Sequence, residues 1–395
     1  MNISKYFIYF LPAALVSGPL LSEFIFIFVS LNFIIFSIKK KFYSFYFNKF
    51  SYIFFLFYFF FVFTSLLSDQ ISISLKSSIP YVRFYFFILA FIYLIKNESF
   101  FLKYFSRFLL LSLVAVSISG YLEFFFEINP FNDQKVGHRV SGLFGSELII
   151  GSYLSRLLPL YLLCTIIIDK NNLRSRNFFY VFFIYICIVF SGERVAFFFG
   201  TISLITYYFF LGKNIFHKIF IIISVSLSLF LLIIFNQTLK ARFVEDIYFK
   251  MFNTTGTKIF TSEHQSHFKT AYKIFLSKPF VGYGPKSFRY KCKDEKFYED
   301  LNSCTTHPHN FYMQLMAETG IIPPVLLFFI FLYSLFVYTK NFFKGKTDIM
   351  LIYLPIVIFT IPFLPNGNFF NNWLSMISFL SLSISIYLIF FKKNI

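Results

Sequence analysis

Two histidines lie one residue apart at the end of the only long polar stretch in the chain. His307 and His309 flank Pro308 within residues 305–320, TTHPHNFYMQLMAETG, and Asn310 follows directly. A neutral imidazole accepts a proton close to physiological pH, so this pair is suited to general acid–base catalysis. Because an apolar run begins right after this segment, the pair predicts an enzyme site at a membrane surface.

The same polar stretch is rich in basic side chains. Histidines and cations on one surface are suited to binding a lipid-linked diphosphate and to activating a sugar hydroxyl. The candidate substrate-binding residues of this stretch are His264, Lys269, Lys286, Arg289, His307 and Asn310.

Charged residues also occur at the edges of apolar runs, where they usually line a cavity because burying a charge in a membrane is costly. Arg139 and Glu147 flank a glycine-rich turn in residues 137–151, GHRVSGLFGSELIIG. They form either a salt bridge that caps a helix or an anion site in which Glu147 holds Arg139. Arg156 lies nine residues beyond Glu147, on a similar helical face, and either pairs with a buried acid or binds phosphate.

Arg194 lies in a very short connection between two apolar runs, within the segment SGERV at 191–195. A guanidinium at this position points into the helix bundle near one membrane face and can bind phosphate with two parallel hydrogen bonds. Pairing with Glu193 alone is the other interpretation.

Two of the four cysteines, Cys292 and Cys304, fall in the polar stretch just before the histidine pair. If this stretch faces an oxidising compartment, they form a disulfide that closes a short loop. A zinc site made of both cysteines with His307 and His309 is the alternative, although the spacing fits no common zinc pattern.

The composition indicates an integral membrane protein. Of the 395 residues 57% are hydrophobic and only 14% charged, and the mean hydropathy is +0.70. The net charge is +18, but most of the positive residues lie in short clusters between apolar runs, so nucleic acid is not the predicted partner. No P-loop, dinucleotide fingerprint or nucleophile elbow is present, so neither nucleotide hydrolysis nor sugar-nucleotide chemistry is supported.

Apolar runs long enough to cross a bilayer recur along the chain and predict an all-α, polytopic bundle of about 12 spans. They fall at 6–20, 23–38, 50–67, 79–95, 108–126, 148–168, 178–190, 195–211, 219–235, 321–339, 349–364 and 373–391. A turn at Gly18-Pro19 separates the first two as a hairpin. The predicted parts are a bundle of about nine spans at 1–235, a long loop at 236–320 between spans 9 and 10, and C-terminal spans at 321–395.

Lysine and arginine concentrate in alternate connections, which predicts that both termini are cytoplasmic and that the 236–320 loop lies outside. The loop is too short to bury much of an independent core, so it is expected to pack on the helix bundle.

Three blocks of the chain resemble the O-antigen ligase and O-antigen polymerase superfamily of polytopic bacterial membrane glycosyltransferases. The strongest is KPFVGYGPKSFRYKC…CTTHPHNFYMQLMAETG, residues 278–320, which looks like the family's P-x-x-G-x-G turn followed by its histidine-asparagine motif. SGERVAFFFG at 191–200 resembles the family's small-x-x-Arg segment. RVSGLFGSELIIGSYLSRLLP at 139–159 is similar to a segment of polymerase-like members.

The resemblance implies a metal-independent transfer, with no cofactor, from a glycan linked to undecaprenyl diphosphate. His309 would be the general base, Arg194 would neutralise the leaving diphosphate, and Glu318 would orient or buffer His309. Two positions depart from the family pattern. Pro323 replaces a glycine, and His264 stands where members often have an arginine.

The leading predicted function is polymerisation of lipid-linked repeat units of O-antigen or a related polysaccharide at the periplasmic face of the bacterial inner membrane. The alternatives are a ligase that transfers the glycan to the lipid A core, and a lipid-linked glycan flippase. The expected partners are a lipid-linked donor, a lipid-linked or lipid A core acceptor, membrane lipids and a chain-length regulator.

Overall fold

The computed structural model describes residues 1–129, 131, 139–168, 174–211, 215–246, 248 and 260–392. Segments 132–138 and 249–259 of two predicted outer loops lie outside these residues. Helices are the only regular secondary structure in the described part of the chain, which confirms the all-α prediction.

The described helices follow the predicted apolar runs. In chain order, the longer ones are α1 Asn2–Ala14, α2 Pro19–Lys39, α3 Lys49–Leu66, α4 Ile71–Ser78, α5 Val82–Asn97, α6 Phe101–Phe126, α7 Ile150–Ile168, α8 Arg174–Phe190, α9 Arg194–Leu211, α10 Ile215–Phe235, α11 Ser262–Ser277, α12 Phe311–Thr319, α13 Ile322–Phe343, α14 Thr347–Thr360 and α15 Asn372–Ile386. The predicted hairpin between the first two runs is confirmed, since α1 ends at Ala14 and Gly18 is the N-cap of α2.

Seven helices of the described residues are long and apolar enough to cross a membrane, and three shorter apolar helices accompany them. The seven are Pro19–Lys39, Lys49–Leu66, Ile71–Asn97, Phe101–Phe126, Ile150–Ile168, Ile322–Phe343 and Asn372–Phe391. Here Ile71–Asn97 combines α4 and α5, and Asn372–Phe391 extends α15 by five residues. The total of twelve spans therefore stays a prediction. The 13-residue helix α1 is too short to span the hydrocarbon core by itself.

Two helices form the centre of the bundle. In α7, 83% of the apolar window is buried, and in the C-terminal segment Asn372–Phe391 the value is 78%, whereas α13 buries only 28%. Helix α7 packs against α6, α8, α9, α14 and α15. Exposed phenylalanines on the outer helices account for part of the aromatic content. Side chains at the start of α7 consequently lie close to the bundle axis.

The connections predicted to lie outside meet at one end of the bundle, which we call the loop end. They are 15–18, 67–70, 191–193, 361–371 and the described parts of 127–149 and 236–320. Ser68 Oγ donates to the carbonyl oxygen of Tyr283 at 2.6 Å, and Asp69 pairs with Lys291 at 2.8 Å. The long segment is thus tied to the bundle.

The described part of the long segment has only a small apolar core of its own. This core joins residues of α11 and α12 to the intervening loop, and its buried members are Ala271, Ile274, Tyr283, Phe288, Cys292, Phe297 and Ala317. A core of this size agrees with packing of the loop on the bundle.

The P-x-x-G-x-G turn, residues 279–284, packs directly on the C-terminal end of α12. Tyr283 N donates to the Ala317 carbonyl at 3.2 Å, and Gly284 N donates to the Glu318 carbonyl at 2.7 Å. A Cβ at Gly282 would lie 2.5 Å from the carbonyl carbon of Glu318, and Gly282 has φ +61°. Glycine is needed here for both the close approach and the left-handed backbone.

Replacing Gly320 by alanine is expected to destabilise the protein much more than replacing Gly345. Both glycines have a left-handed backbone, with φ +75° and +66°. That conformation costs alanine about 1–2 kcal/mol. Only at Gly320 would the new Cβ also overlap backbone, the Phe280 carbonyl, which adds about 1–3 kcal/mol of overpacking. Thermal unfolding of the two purified variants in detergent measures the difference, and equal losses would contradict the packing described here.

Candidate active site

A cavity of about 1360 Å³ opens at the loop end, lined by five of the six connections that meet there. Ligand sites commonly enclose about 300–1,000 Å³, so this one has room for more than one substrate group. Most predicted site residues line it, namely Arg139, Glu147, Arg156, Arg194, His264, Lys286, Arg289, His307 and His309. Glu318, Lys269 and Asn310 do not line it.

Four histidines cluster at one wall of the cavity. The His309 ring centroid lies 4.2 Å from that of His307, 5.3 Å from that of His267 and 5.5 Å from that of His264. His264 and His267 come from the first turns of α11, whereas His307 and His309 come from the loop before α12. The sequence analysis did not identify His267 as a site residue.

The backbone on both sides of His309 is firmly held. His309 has φ +55°, a left-handed conformation that is uncommon for a residue with a side chain. Its carbonyl accepts from Asn366 N at 2.8 Å. Asn310 caps α12 by accepting from Tyr312 N and donates from Nδ2 to the Pro362 carbonyl at 2.7 Å. Asn310 therefore positions the neighbouring His309 and does not line the cavity.

Burial favours the neutral form of His267, His307 and His309. Burial, with smaller contributions from the neighbouring His264 and His267, lowers the pKa of His309 to about 4. Burial likewise lowers the pKa of His307 to about 3, with smaller contributions from His309 and Arg289. A neutral imidazole is the form that accepts a proton, so His309 is in the correct state to act as a base.

A pair of arginines forms a second wall. Arg194 Nη2 donates to the Arg242 carbonyl at 2.9 Å and lies 3.5 Å from Asp246 Oδ2. Arg242 Nη1 contacts the same oxygen at 3.0 Å, and Arg242 Nε donates to the Gly192 carbonyl at 2.9 Å. The shared carboxylate keeps two positive forks beside the cavity, an arrangement suited to a diphosphate.

Sequence reasoning missed Arg242 as a site residue. The available signal was its spacing of four residues from Asp246 just after the apolar run 219–235, which is typical of an ion pair on one helix face. Nothing in the sequence indicates that this pair reaches the α8–α9 connection.

Arg139 contacts Glu193 and not Glu147. The distance from Arg139 Nη2 to Glu193 Oε2 is 3.9 Å, and the same nitrogen donates to the Leu148 carbonyl. Glu193 also accepts from Gly151 N at 2.7 Å and from Ser152 N at 3.1 Å, where it caps the N-terminus of α7. The sequence interpretations that paired Arg139 with Glu147 and Arg194 with Glu193 were wrong, because contacts between distant connections replaced local ones.

Arg156 lies one turn into α7 and faces the cavity. Its Nη1 donates to Ser152 Oγ at 2.6 Å, and its Nη2 lies 3.4 Å from Asn366 Oδ1. No carboxylate in the described residues forms a salt bridge with it. Glu193, which is buried, interacts with Arg156 electrostatically, so the buried-acid and the phosphate-binding interpretations both stay open.

Glu318 is fully buried away from His309. Its Oε1 accepts from Phe288 N at 3.1 Å, and its Oε2 accepts from Gln314 Nε2 at 3.0 Å. The expectation that Glu318 orients or buffers His309 is corrected accordingly, since its partners lie in the 286–288 turn and on α12. The prediction that Lys269 binds substrate is also corrected, because Lys269 lies on the exposed face of α11.

Cys292 and Cys304 are joined by a disulfide, with Cα atoms 5.2 Å apart, which confirms the predicted pairing. The bond uses both thiols, so the alternative zinc site with His307 and His309 cannot form with them. Among the described residues, no group of three or more histidines, cysteines or carboxylates has the arrangement of a metal site.

One protein family resembles the part of the chain that carries the candidate site. Residues 179–330 match the family model described as O-Antigen ligase. The matched range holds the α8–α9 connection with Arg194, the segment with Arg242 and all four clustered histidines. No curated protein matches the chain.

The stability of the protein should fall as the pH drops from about 6.5 to about 4. An unfolded histidine has a pKa of about 6.5, whereas His309 in the fold has a pKa of about 4. Within this window the unfolded chain binds more protons, so acidification favours unfolding. The variant His307→Gln/His309→Gln should show a shallower dependence than the wild type in thermal unfolding between pH 4.5 and 7.5.

The control for this pH experiment is Lys269→Gln, on the exposed face of α11, which should follow the wild-type curve. Carboxylates also titrate in this range, but both proteins share them, so the difference between curves isolates the histidines. Parallel curves for the double variant and the wild type would contradict the neutral histidine cluster.

Proposed function

We propose that this chain, whose residues 179–330 match the O-Antigen ligase model, belongs to the O-antigen ligase and O-antigen polymerase superfamily and is a membrane enzyme that polymerises lipid-linked glycan repeat units. The family implies a glycosyltransferase-type enzyme. The observation that carries the proposal is that one cavity is lined by the neutral His309 and by the guanidinium groups of Arg194 and Arg242. Transfer from a lipid diphosphate requires a base for the acceptor and positive charge for the leaving group.

In the proposed reaction, an acceptor hydroxyl oxygen attacks the anomeric carbon of the donor glycan. Its proton passes to the free ring nitrogen of His309, and the bond between the anomeric carbon and the diphosphate oxygen breaks. The lipid diphosphate departs with the bonding electrons, and Arg194 and Arg242 bind the charge that develops on it. General-base assistance contributes about 10²–10⁴ in rate.

The depressed pKa of His309 describes the cavity without substrate. Two charges of opposite sign stabilise each other, so a diphosphate bound beside the histidine cluster raises the histidine pKa. The base therefore becomes stronger when the donor is in place. Arginine suits the leaving group because its planar fork matches two phosphate oxygens at once.

A ligase that transfers the finished glycan to the lipid A core is the second candidate. The match of residues 179–330 to the O-Antigen ligase family favours it. The segment at 139–159, with its resemblance to polymerase-like members, favours polymerisation. Flipping of a lipid-linked glycan has no support from the family match.

The proposal includes a location and partners. The chain lies in the bacterial inner membrane with both termini cytoplasmic and the loop end in the periplasm. The Cys292–Cys304 disulfide supports this orientation, because such bonds persist in oxidising compartments. The donor is an undecaprenyl-diphosphate-linked oligosaccharide, the acceptor is a second lipid-linked glycan, and a chain-length regulator is a further partner.

Replacing His309 by alanine is expected to abolish polymer while leaving the protein level normal. Lipopolysaccharide gels of a deletion strain carrying each variant should show core plus one repeat unit for His309→Ala and a full ladder for the exposed control Lys269→Ala. A full ladder from the His309→Ala strain would contradict the general-base role of His309.

The gel of the deletion strain itself separates the candidate functions. Core plus one repeat unit indicates a lost polymerase, whereas bare core with accumulated lipid-linked polymer indicates a lost ligase. Bare core without that polymer would place the chain earlier in assembly and contradict both.

Arg194→Lys should impair transfer severely, since an ammonium keeps the charge but loses the paired hydrogen bonds of the fork. Loss of a charge-assisted hydrogen bond costs about 1.5–3 kcal/mol, which is at least about tenfold in rate if the bond is made in the transition state. The matched control is Arg107→Lys on the exposed surface of α6. Ladder density in complemented strains measures the effect, and full activity of Arg194→Lys would refute the diphosphate role.

A further inference from the structure

Lys286 and Arg289 differ from the other cations of the cavity wall. The other arginines have internal partners, which are Glu193 for Arg139, Asp246 for Arg194 and Arg242, and Ser152 with Asn366 for Arg156. In the described part of the chain, neither the Lys286 nor the Arg289 side chain has an ion pair or a hydrogen bond. Arg289 Nε is buried without a partner.

The fold holds these two cations together at a cost. Lys286 has φ +63°, which is strained for a residue with a side chain. Burial lowers the pKa of Lys286, and the charge of Arg289 lowers it further. Glu318 attracts both cations, but its carboxylate accepts hydrogen bonds from Phe288 N and Gln314 and forms no ion pair with either of them. Two half-buried like charges without an ion pair form a site that an anion would stabilise.

The pair is separate from the arginines that face the proposed leaving group. Arg194 and Arg242 belong to the α8–α9 connection and to the segment after α10, whereas Lys286 and Arg289 follow the P-x-x-G-x-G turn. The charge of Arg289 acts on His307, whose ring lies 4.2 Å from that of His309. An anion bound at Lys286 and Arg289 is therefore close to the sugar whose hydroxyl His309 deprotonates.

We propose that Lys286 and Arg289 form a second anion subsite, which binds a negatively charged group on the acceptor glycan near the hydroxyl that is glycosylated. The inference rests on the proposed function. The ligand chemistry is an anionic sugar, bearing either the carboxylate of a uronic acid or a phosphate substituent. The cavity volume of about 1360 Å³ accommodates such a sugar beside the donor diphosphate.

Binding to the purified wild-type protein in nanodiscs, followed by calorimetry, tests this subsite without requiring transfer. The probes are cellobiouronic acid, its neutral counterpart cellobiose, glucose 6-phosphate and inorganic pyrophosphate. At least one of the charged sugars should bind about tenfold or more tightly than cellobiose, as expected for charge-assisted hydrogen bonds. Preference for cellobiouronic acid identifies a carboxylate, and preference for glucose 6-phosphate identifies a phosphate substituent.

Variants connect this preference to the named residues. Lys286→Asn/Arg289→Gln should lose the preference for charged sugars and keep pyrophosphate affinity within about twofold, whereas Arg194→Gln should do the reverse. Asparagine tolerates the left-handed backbone at position 286. If the double variant does not fold, Arg289→Gln alone serves, and Arg289→Lys should retain the preference. Lys269→Gln is the control with the same loss of charge outside the cavity.

Two results would overturn the second subsite. One is the absence of any preference of the wild type for a charged sugar over cellobiose. The other is the joint loss of pyrophosphate and charged-sugar binding in the Lys286 and Arg289 variants, which would show one shared anion site. These binding results are distinguishable from failure of the proposed function, which is read from the lipopolysaccharide ladder of His309→Ala.

Discussion

The hydrogen bonds of the buried Glu318 carboxylate hold together the cavity wall that carries His309, Lys286 and Arg289. Glu318 lies near the C-terminal end of the nine-residue helix α12, which directly follows the His309-Asn310 pair. Its oxygens accept from Phe288 N and from Gln314 Nε2, so one side chain connects the turn of Lys286 and Arg289 to the helix that positions the base. Burial raises the pKa of Glu318 to about 7, and the hydrogen bonds oppose that shift. Removing either the carboxylate or one of its partners destabilises the fold, because the group that remains buried is left without a hydrogen bond.

Internal carboxylates hold the other cations of the cavity in place before any substrate arrives. Asp246 contacts both Arg194 and Arg242, and Glu193 lies beside Arg139 while it caps α7. Without these acids, several arginines would repel one another around a partly desolvated space. A diphosphate that replaces part of the Asp246 contact exchanges one anion for another, so the arginines need little rearrangement. Preorganised charge of this kind is usually the largest electrostatic contribution to catalysis.

Local patterns predicted much of this architecture. The apolar runs indicated the helices, Gly18-Pro19 indicated the first hairpin, and the spacing of Cys292 and Cys304 indicated their pairing, since each depends on neighbouring residues. The histidine-asparagine motif coincides with a helix start for the same reason, because Asn310 caps the helix that follows it. The errors concern partners far apart in sequence. Contacts such as that between Arg242 and Gly192, 50 residues apart, follow from how the connections meet, and no periodicity records that.

The two departures from the family pattern have physical explanations in this fold. Pro323 lies in the first turn of α13, where a missing N–H leaves no hydrogen bond unmade and the fixed φ suits the helix. A glycine is therefore not required at that position. His264 lies 5.5 Å from His309 and helps to lower its pKa, so it belongs to the histidine cluster of the cavity. An arginine at 264 would place a permanent charge against that cluster. Arg242 provides a second guanidinium next to Arg194 without placing an unbalanced charge against the histidines, because its charge is paired with Asp246.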